Sequence, residues 1–179
     1  MMLRSIFAVA LATALIALCP TQPRAENEPG SSVTWLLHAD SMTTLVYSLD
    51  AWLDEQSPWP RRHIVPRVRL VNKWQAAARQ GATGSFQHGS LRGLYDPDRS
   101  EILLVRPWDP RKAVDVAVLL HELTHHRQAP HHWYCPAAQE LPAYRLQEQW
   151  LSDHGHSLDV NWVAVVLDAG CTPRDFHPE

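Results

Sequence analysis

The stretch of the chain that could do chemistry is LLHELTHHRQAPHHW, residues 119–133, which holds five of the eleven histidines. Within it, His121-Glu122-Leu123-Thr124-His125 has the spacing H-E-x-x-H. On an α-helix, residues four apart share a face one turn from each other, so both imidazoles can reach a single ion. Glu122 is turned about 100° from His121 and points beside that ion instead of at it, as suits a carboxylate that takes a proton from water. Chance does not account for the match, because roughly 0.03 such matches are expected in a chain with eleven histidines and eight glutamates.

A metal ion that acts on substrate takes three protein ligands and keeps one position open, and two residues compete for the third place. His131 stands at the metzincin spacing H-E-x-x-H-x-x-G-x-x-H, but Gln128 occupies the position of the glycine and Pro130 directly precedes the histidine. A later methionine turn is excluded, since the only methionines are Met1, Met2 and Met42. Glu140 follows His125 by fifteen residues at the front of the next predicted helix, where a short connection returns an antiparallel helix past the ion. Glu148 is a weaker substitute. Tyr144, one turn beyond Glu140, either supports the ligands or meets an oxyanion, or else packs into the core with Leu141. His126, His131 and His132 read as solvated residues around the cleft. His154 and His156 reach the site only if the chain folds back after Gly155.

The elements that must position these groups follow from pattern. Asp109-Pro110 marks a helix start, since a carboxylate accepts from freed backbone donors and proline is pre-set for the first helical position. That helix should cover residues 110–128 and stop before Pro130, burying Val114, Ala117, Val118, Leu119 and Leu120. Upstream, residues 34–56 read as one long helix ended by Pro58 and Pro60, RVRLV (67–71) as a strand with one wet face, and residues 72–81 as a short helix stopped by Gly81. LRGLYDPDRSEILLV is a hairpin signal around Asp96-Pro97-Asp98, with residues 101–105 as its second arm. Residues 140–155 and 160–170 read as the last two helices, ended by Gly155 and Gly170. The result is an α+β class: a small sheet with a hairpin, packed against the H-E-x-x-H helix and further helices. The eight tryptophans are expected in the core and at interfaces.

At 179 residues, 45% hydrophobic and 20% charged, the chain fits one globular domain. A formal charge of -3 gives no basic field for a phosphate backbone, which sets nucleic acid aside as a partner. Residues 1–25 read as a secretory signal peptide: Arg4 precedes the apolar run IFAVALATALIALC, which is too short for a comfortable membrane span, and cleavage is expected after Ala25. Lipidation at Cys19 is disfavoured by the bulk of Leu18 before it. The domain is then 26–179, exported to the periplasm or the medium. Removal of Cys19 leaves Cys135 and Cys171 in a compartment that permits disulfides, and a bridge between them is expected. Closing a loop of that size stabilises a fold by about 3 to 4 kcal/mol.

Taken with HELTH, the string ELPAYRLQ resembles the glutamate-bearing helix of gluzincins, and residues 67–150 resemble small exported bacterial members of the zincin-like metallopeptidases. The order of strand, hairpin, motif helix and glutamate helix carries that resemblance. It implies a minimal zincin-like catalytic domain with one zinc ion held by His121, His125 and Glu140, Glu122 as general base, and hydrolysis of peptide bonds in a peptide or protein substrate. By the same resemblance, the strand 101–105 borders the cleft and pairs with an extended peptide. Two rival readings stand beside it. One is a non-catalytic periplasmic zinc-binding protein that also uses His126, His131 and His132, and the other is a degenerate zincin serving as a binding module.

Overall fold

A computed structural model describes residues 41–83 and 91–171. In chain order its elements are α1 (Met42–Gln56), β1 (Arg67–Val71), α2 (Lys73–Thr83), β2 (Gly93–Asp96), β3 (Glu101–Val105), α3 (Ala113–Gln128), a 3-10 turn (Pro136–Gln139), α4 (Glu140–Asp153) and α5 (Trp162–Ala169). Mixed helix and sheet, the α+β class expected, is what these residues form. The segment read as a signal peptide lies outside the described residues. Among the described residues no helix is long and apolar enough to cross a membrane.

β3, EILLV, is buried along its whole length because it is the middle strand of three. It pairs in parallel with β1, with Val68 opposite Ile102, and antiparallel with β2, with Tyr95 opposite Ile102. This corrects the reading of β3 as a strand bordering the cleft that could accept an extended peptide: both of its edges are already paired. The hairpin itself is as expected. Its turn is held by Asp96, whose carboxylate accepts from the backbone N–H groups of Asp98 and Arg99 and pairs with Arg79 and Arg99.

α3 packs against α1, α4, β2 and β3, and so buries nearly every side chain it carries. Val116, Ala117, Leu119, Leu120 and Leu123 are all fully enclosed in the main core, with Leu49 and Leu53 of α1, Ile102 and Leu104 of β3, and Trp150 and Leu151 of α4. Each such leucine contributes about 1.5–3 kcal/mol on leaving water. A helix with so much apolar surface on all sides has a fixed rotation and depth, so the polar side chains it carries are held in set directions. Of the tryptophans, Trp150 is in this core, whereas Trp74 is 84% exposed, against the expectation for the set.

Helix boundaries differ from the sequence reading for local reasons. α1 does not run from residue 34: Ser41 is extended and its side chain caps the helix by accepting from Thr44 N; residues 34–40 lie outside the described set. α2 continues through Gly81 to Thr83, since a glycine costs a terminal helical turn only about 1 kcal/mol. α3 begins at Ala113, three residues later than expected. Asp109 spends its Oδ1 on the backbone N–H of Arg111, closing a local turn, so it is not the helix cap. Pro142 leaves α4 intact because it is the third helical residue, where the backbone N–H would have no intrahelical partner. α4 ends at Asp153, two residues before the expected boundary, and Gly155 follows its cap in the left-handed conformation at φ 74° while His156 N bonds Leu151 O. α5 is capped by Asn161, but Gly170 stays right-handed, and the left-handed residue after it is Cys171 at φ 49°. The expected Cys135–Cys171 disulfide is present, tying the start of the 3-10 turn to the end of α5.

Candidate metal centre

α3 and α4 lie side by side, and their facing surfaces are where the site forms. His121 and His125 come from one face of α3, and Glu140 is the first residue of α4. The Nε2 atoms of the two histidines are 3.0 Å apart. Glu140 Oε2 is 3.2 Å from His121 Nε2, and Oε1 is 3.5 Å from His125 Nε2. A tetrahedral divalent cation with bonds of about 2.0–2.1 Å wants its donor atoms about 3.3 Å apart. The three groups fit a metal ion, and no other cluster of three such residues occurs among the described residues.

The opposite ring nitrogens show why the Nε2 atoms converge. His121 Nδ1 lies 3.1 Å from Gln147 Oε1, and His125 Nδ1 lies 2.8 Å from Gln128 Oε1. A carboxamide oxygen only accepts, so each Nδ1 must carry the proton and each neutral ring offers a lone pair at Nε2. The orientation of the Gln128 amide is set from its other end, where Nε2 donates to Gln139 O at 3.2 Å. Two imidazole lone pairs and a carboxylate therefore face one point, an arrangement that requires a positive charge in the middle.

Without a metal, that charge is a proton. Burial works against a charged His125, but the neighbouring Glu140 and Glu122 carboxylates and hydrogen bonds to Glu140 and Gln128 outweigh it and push the ring up to about 9. Glu140 is likewise opposed by burial, yet the adjacent His125 and His121 hold its carboxyl far below the usual carboxylate range.

Glu122 is 2% exposed and lies beside this cluster, not in it. Burial pushes its carboxyl up, partly offset by the two histidines and by a hydrogen bond from the Tyr95 backbone N–H of β2. The close approach of β2 depends on Gly93, because a Cβ there would stand 2.5 Å from Glu122 Oε1 and 2.9 Å from Val118. A cavity of about 300 Å³ opens against these groups. His121, Glu122, Tyr144 and Gln147 form one polar wall, Val114, Val118, Leu151, Leu158 and Val160 supply apolar surface, Ser157 and Asp159 add polar groups from the segment after α4, and Arg92 and Gly93 close the β2 side. Tyr144 packs edge-on against His121 with ring centroids 4.5 Å apart, and burial with the two carboxylates raises its hydroxyl above the ordinary value.

The other sequence candidates fall away. His131 and His132 are exposed, as is Glu148, and none joins the cluster. His126, expected in solvent, is 2% exposed. Its Nε2 bonds Ile64 O at 2.8 Å, while its Nδ1 meets Tyr95 Oη at 3.1 Å and Arg62 at 3.2 Å, so both nitrogens are engaged in structure. His154 lies on the Trp150 ring and bonds the Trp150 carbonyl, and His156 is exposed. Sequence reasoning missed Gln147 and Gln128 as partners of the ligands, and Gly93 and Tyr95 as neighbours of Glu122. A signal for Gln147 was present: Glu140, Tyr144 and Gln147 recur at helical spacing, polar residues on a face that must meet α3.

No curated protein and no solved structure matches this sequence. Residues 38–179 match the family described as Domain of unknown function (DUF6647), and by that match over most of its length the chain belongs to that family.

Proposed function

We propose that this chain is an exported zinc-dependent peptidase with a zincin-like catalytic domain of the gluzincin type. The observation that carries the reading is the convergence of His121 Nε2, His125 Nε2 and the Glu140 carboxylate within 3.0–3.5 Å of one another, with buried Glu122 beside them on a cavity wall. A donor set of two imidazoles and one carboxylate suits zinc with an open fourth position, and zinc there supplies the Lewis acidity that makes water nucleophilic and an amide carbonyl electrophilic near neutral pH.

The chain's own residues do the rest. Glu122 accepts the proton that water loses as its oxygen bonds to the carbonyl carbon, then delivers it to the amine nitrogen as the C–N bond breaks. A carboxyl whose pKa is raised by burial is better matched to both transfers than an ordinary surface glutamate. Tyr144, kept protonated, lines the same cavity and has an O–H to offer to the developing oxyanion. The apolar wall excludes water and seats a substrate side chain. The disulfide supports placement in an oxidising compartment.

The rival reading, a zinc reservoir built from the whole histidine cluster, loses His126 to its bonds with Ile64, Tyr95 and Arg62. The decisive variant is Glu122→Gln, assayed on a quenched fluorescent peptide library. It should keep one zinc per chain while hydrolysis falls at least about 100-fold. Hydrolysis at the wild-type rate by that variant would refute the assignment.

A further inference from the structure

The bonds behind the ligands go beyond what H-E-x-x-H and a downstream glutamate require. His121 and His125 are each backed by a glutamine, whereas metal-bound histidines are commonly backed by a carboxylate, a backbone carbonyl or water. Gln147 is 6% exposed and sits two turns along α4 from Glu140, so one helix supplies both a ligand and the support of another ligand. Gln128 is fully buried and reaches two ways: its Oε1 accepts from His125 Nδ1, and its Nε2 donates to the carbonyl of Gln139, the residue directly before Glu140. A single side chain thus couples the rotamer of His125 to the position from which Glu140 starts.

We propose that Gln147 and Gln128 are the positioning residues of this centre, fixing both imidazoles as Nδ1–H donors so that their Nε2 lone pairs meet at one divalent cation. Being uncharged, they do so without adding negative charge around it. With the metal ion at +2 and Glu140 and Glu122 ionised, amide supports leave the assembly neutral, while two carboxylate supports would leave it doubly negative. The neutral arrangement preserves the ion's Lewis acidity, which a basic support would diminish by strengthening donation from the imidazoles.

This inference rests on the metal-binding half of the proposed function. It is tested on the purified full chain, stripped of metal and titrated with zinc against a chromophoric chelator. Gln147→Met and Gln128→Met keep approximate length and remove the accepting oxygen, and zinc affinity should fall about 10- to 100-fold in each. Gln147→Glu restores the acceptor and should bind zinc at least as tightly as the wild type. Histidine-labelled ¹⁵N spectra of the wild type give a readout that does not depend on any variant folding. Both Nδ1 protons should persist on zinc addition while both Nε2 resonances shift. Wild-type affinity in folded Met variants, or zinc carried on Nδ1, would overturn the inference while leaving the peptidase reading standing. A chain that shows this zinc pattern but cleaves no peptide would uphold the inference and remove the hydrolytic half of the function. A wild-type chain that binds no zinc would overturn both.

Discussion

His125 and His126 are neighbours on α3, both largely enclosed, yet they belong to two regions built on opposite principles. His126 faces β2 and the 57–66 connection, where Ile64 O, Tyr95 Oη and Arg62 take up both its nitrogens. Arg127, the next residue, is 1% exposed and meets Asp50, Asp54 and the carbonyl of Trp59, pinning α1 to the end of α3. On that side His126, Arg127, Asp50 and Asp54 are each answered by a polar partner. His125 faces α4, where the polar groups are organised from behind and their front atoms, two Nε2 lone pairs and a carboxylate, converge without canceling. A saturated polar cluster holds a fold together, whereas one with aligned, like-signed ends asks for a ligand.

The sharpest way to break this comparison is to truncate each histidine. His125→Ala should reduce zinc affinity by at least about 100-fold, through loss of a ligand together with its support. His126→Ala should leave zinc stoichiometry unchanged and cost roughly 1–3 kcal/mol of stability, the penalty for stranding buried partners. Chelator competition and urea unfolding on the same two proteins check both halves. If His126→Ala loses zinc as His125→Ala does, the two regions are not separate.

Next in size is Arg127→Met. It removes the buried guanidinium from Asp50 of α1, leaving that carboxylate only the more distant Arg61 at 3.4 Å, and should destabilise the fold by about 1.5–3 kcal/mol. The folded fraction should still bind one zinc per chain. Loss of zinc from protein that remains folded would show that the anchor and the metal centre are one unit.

The smallest effect is a pH dependence confined to the metal-free protein. His125 is raised from 6.5 to about 9 on folding, so the stabilisation from its proton is complete below pH 6.5 and disappears as pH rises toward 9. Glu122, raised on folding by burial, adds a cost in the same direction once it ionises. Glu140 is lowered on folding, so its contribution is present above 4.5 and is lost only on acidification. The melting temperature of metal-free protein should therefore drop between pH 6.5 and 9, on the order of a few degrees. Zinc-loaded protein, whose cation replaces that proton, should show no such drop. Parallel pH profiles for the two forms would contradict the assignment of the charge at the centre.

Legibility in the sequence followed the range of the interactions. The pair His121 and His125, the hairpin, Glu140 at a helix start and the Cys135–Cys171 bridge were readable because each follows from local spacing or from a count of residues. β3 as the middle strand was not, since its pairing with β1 spans a crossover through α2 and β2, which no local pattern encodes. His126 was misjudged because its partners Ile64 and Tyr95 lie 62 and 31 residues away. Gln128 looked like a defect in a longer histidine pattern; its use appears only once α3 and the 3-10 turn are brought together. Asp109 was misread for a local reason, because a side chain that can cap a helix can equally close the turn before it.

The most direct measurement is a zinc titration of metal-free protein beside its Glu140→Ala variant, followed by zinc-edge absorption spectroscopy of the loaded wild type. One tightly bound ion per wild-type chain is expected, coordinated by two imidazole nitrogens and carboxylate oxygen, with at least a tenfold loss of affinity in the variant. Undiminished binding in Glu140→Ala, or a wild-type chain that takes up no zinc, would contradict that expectation.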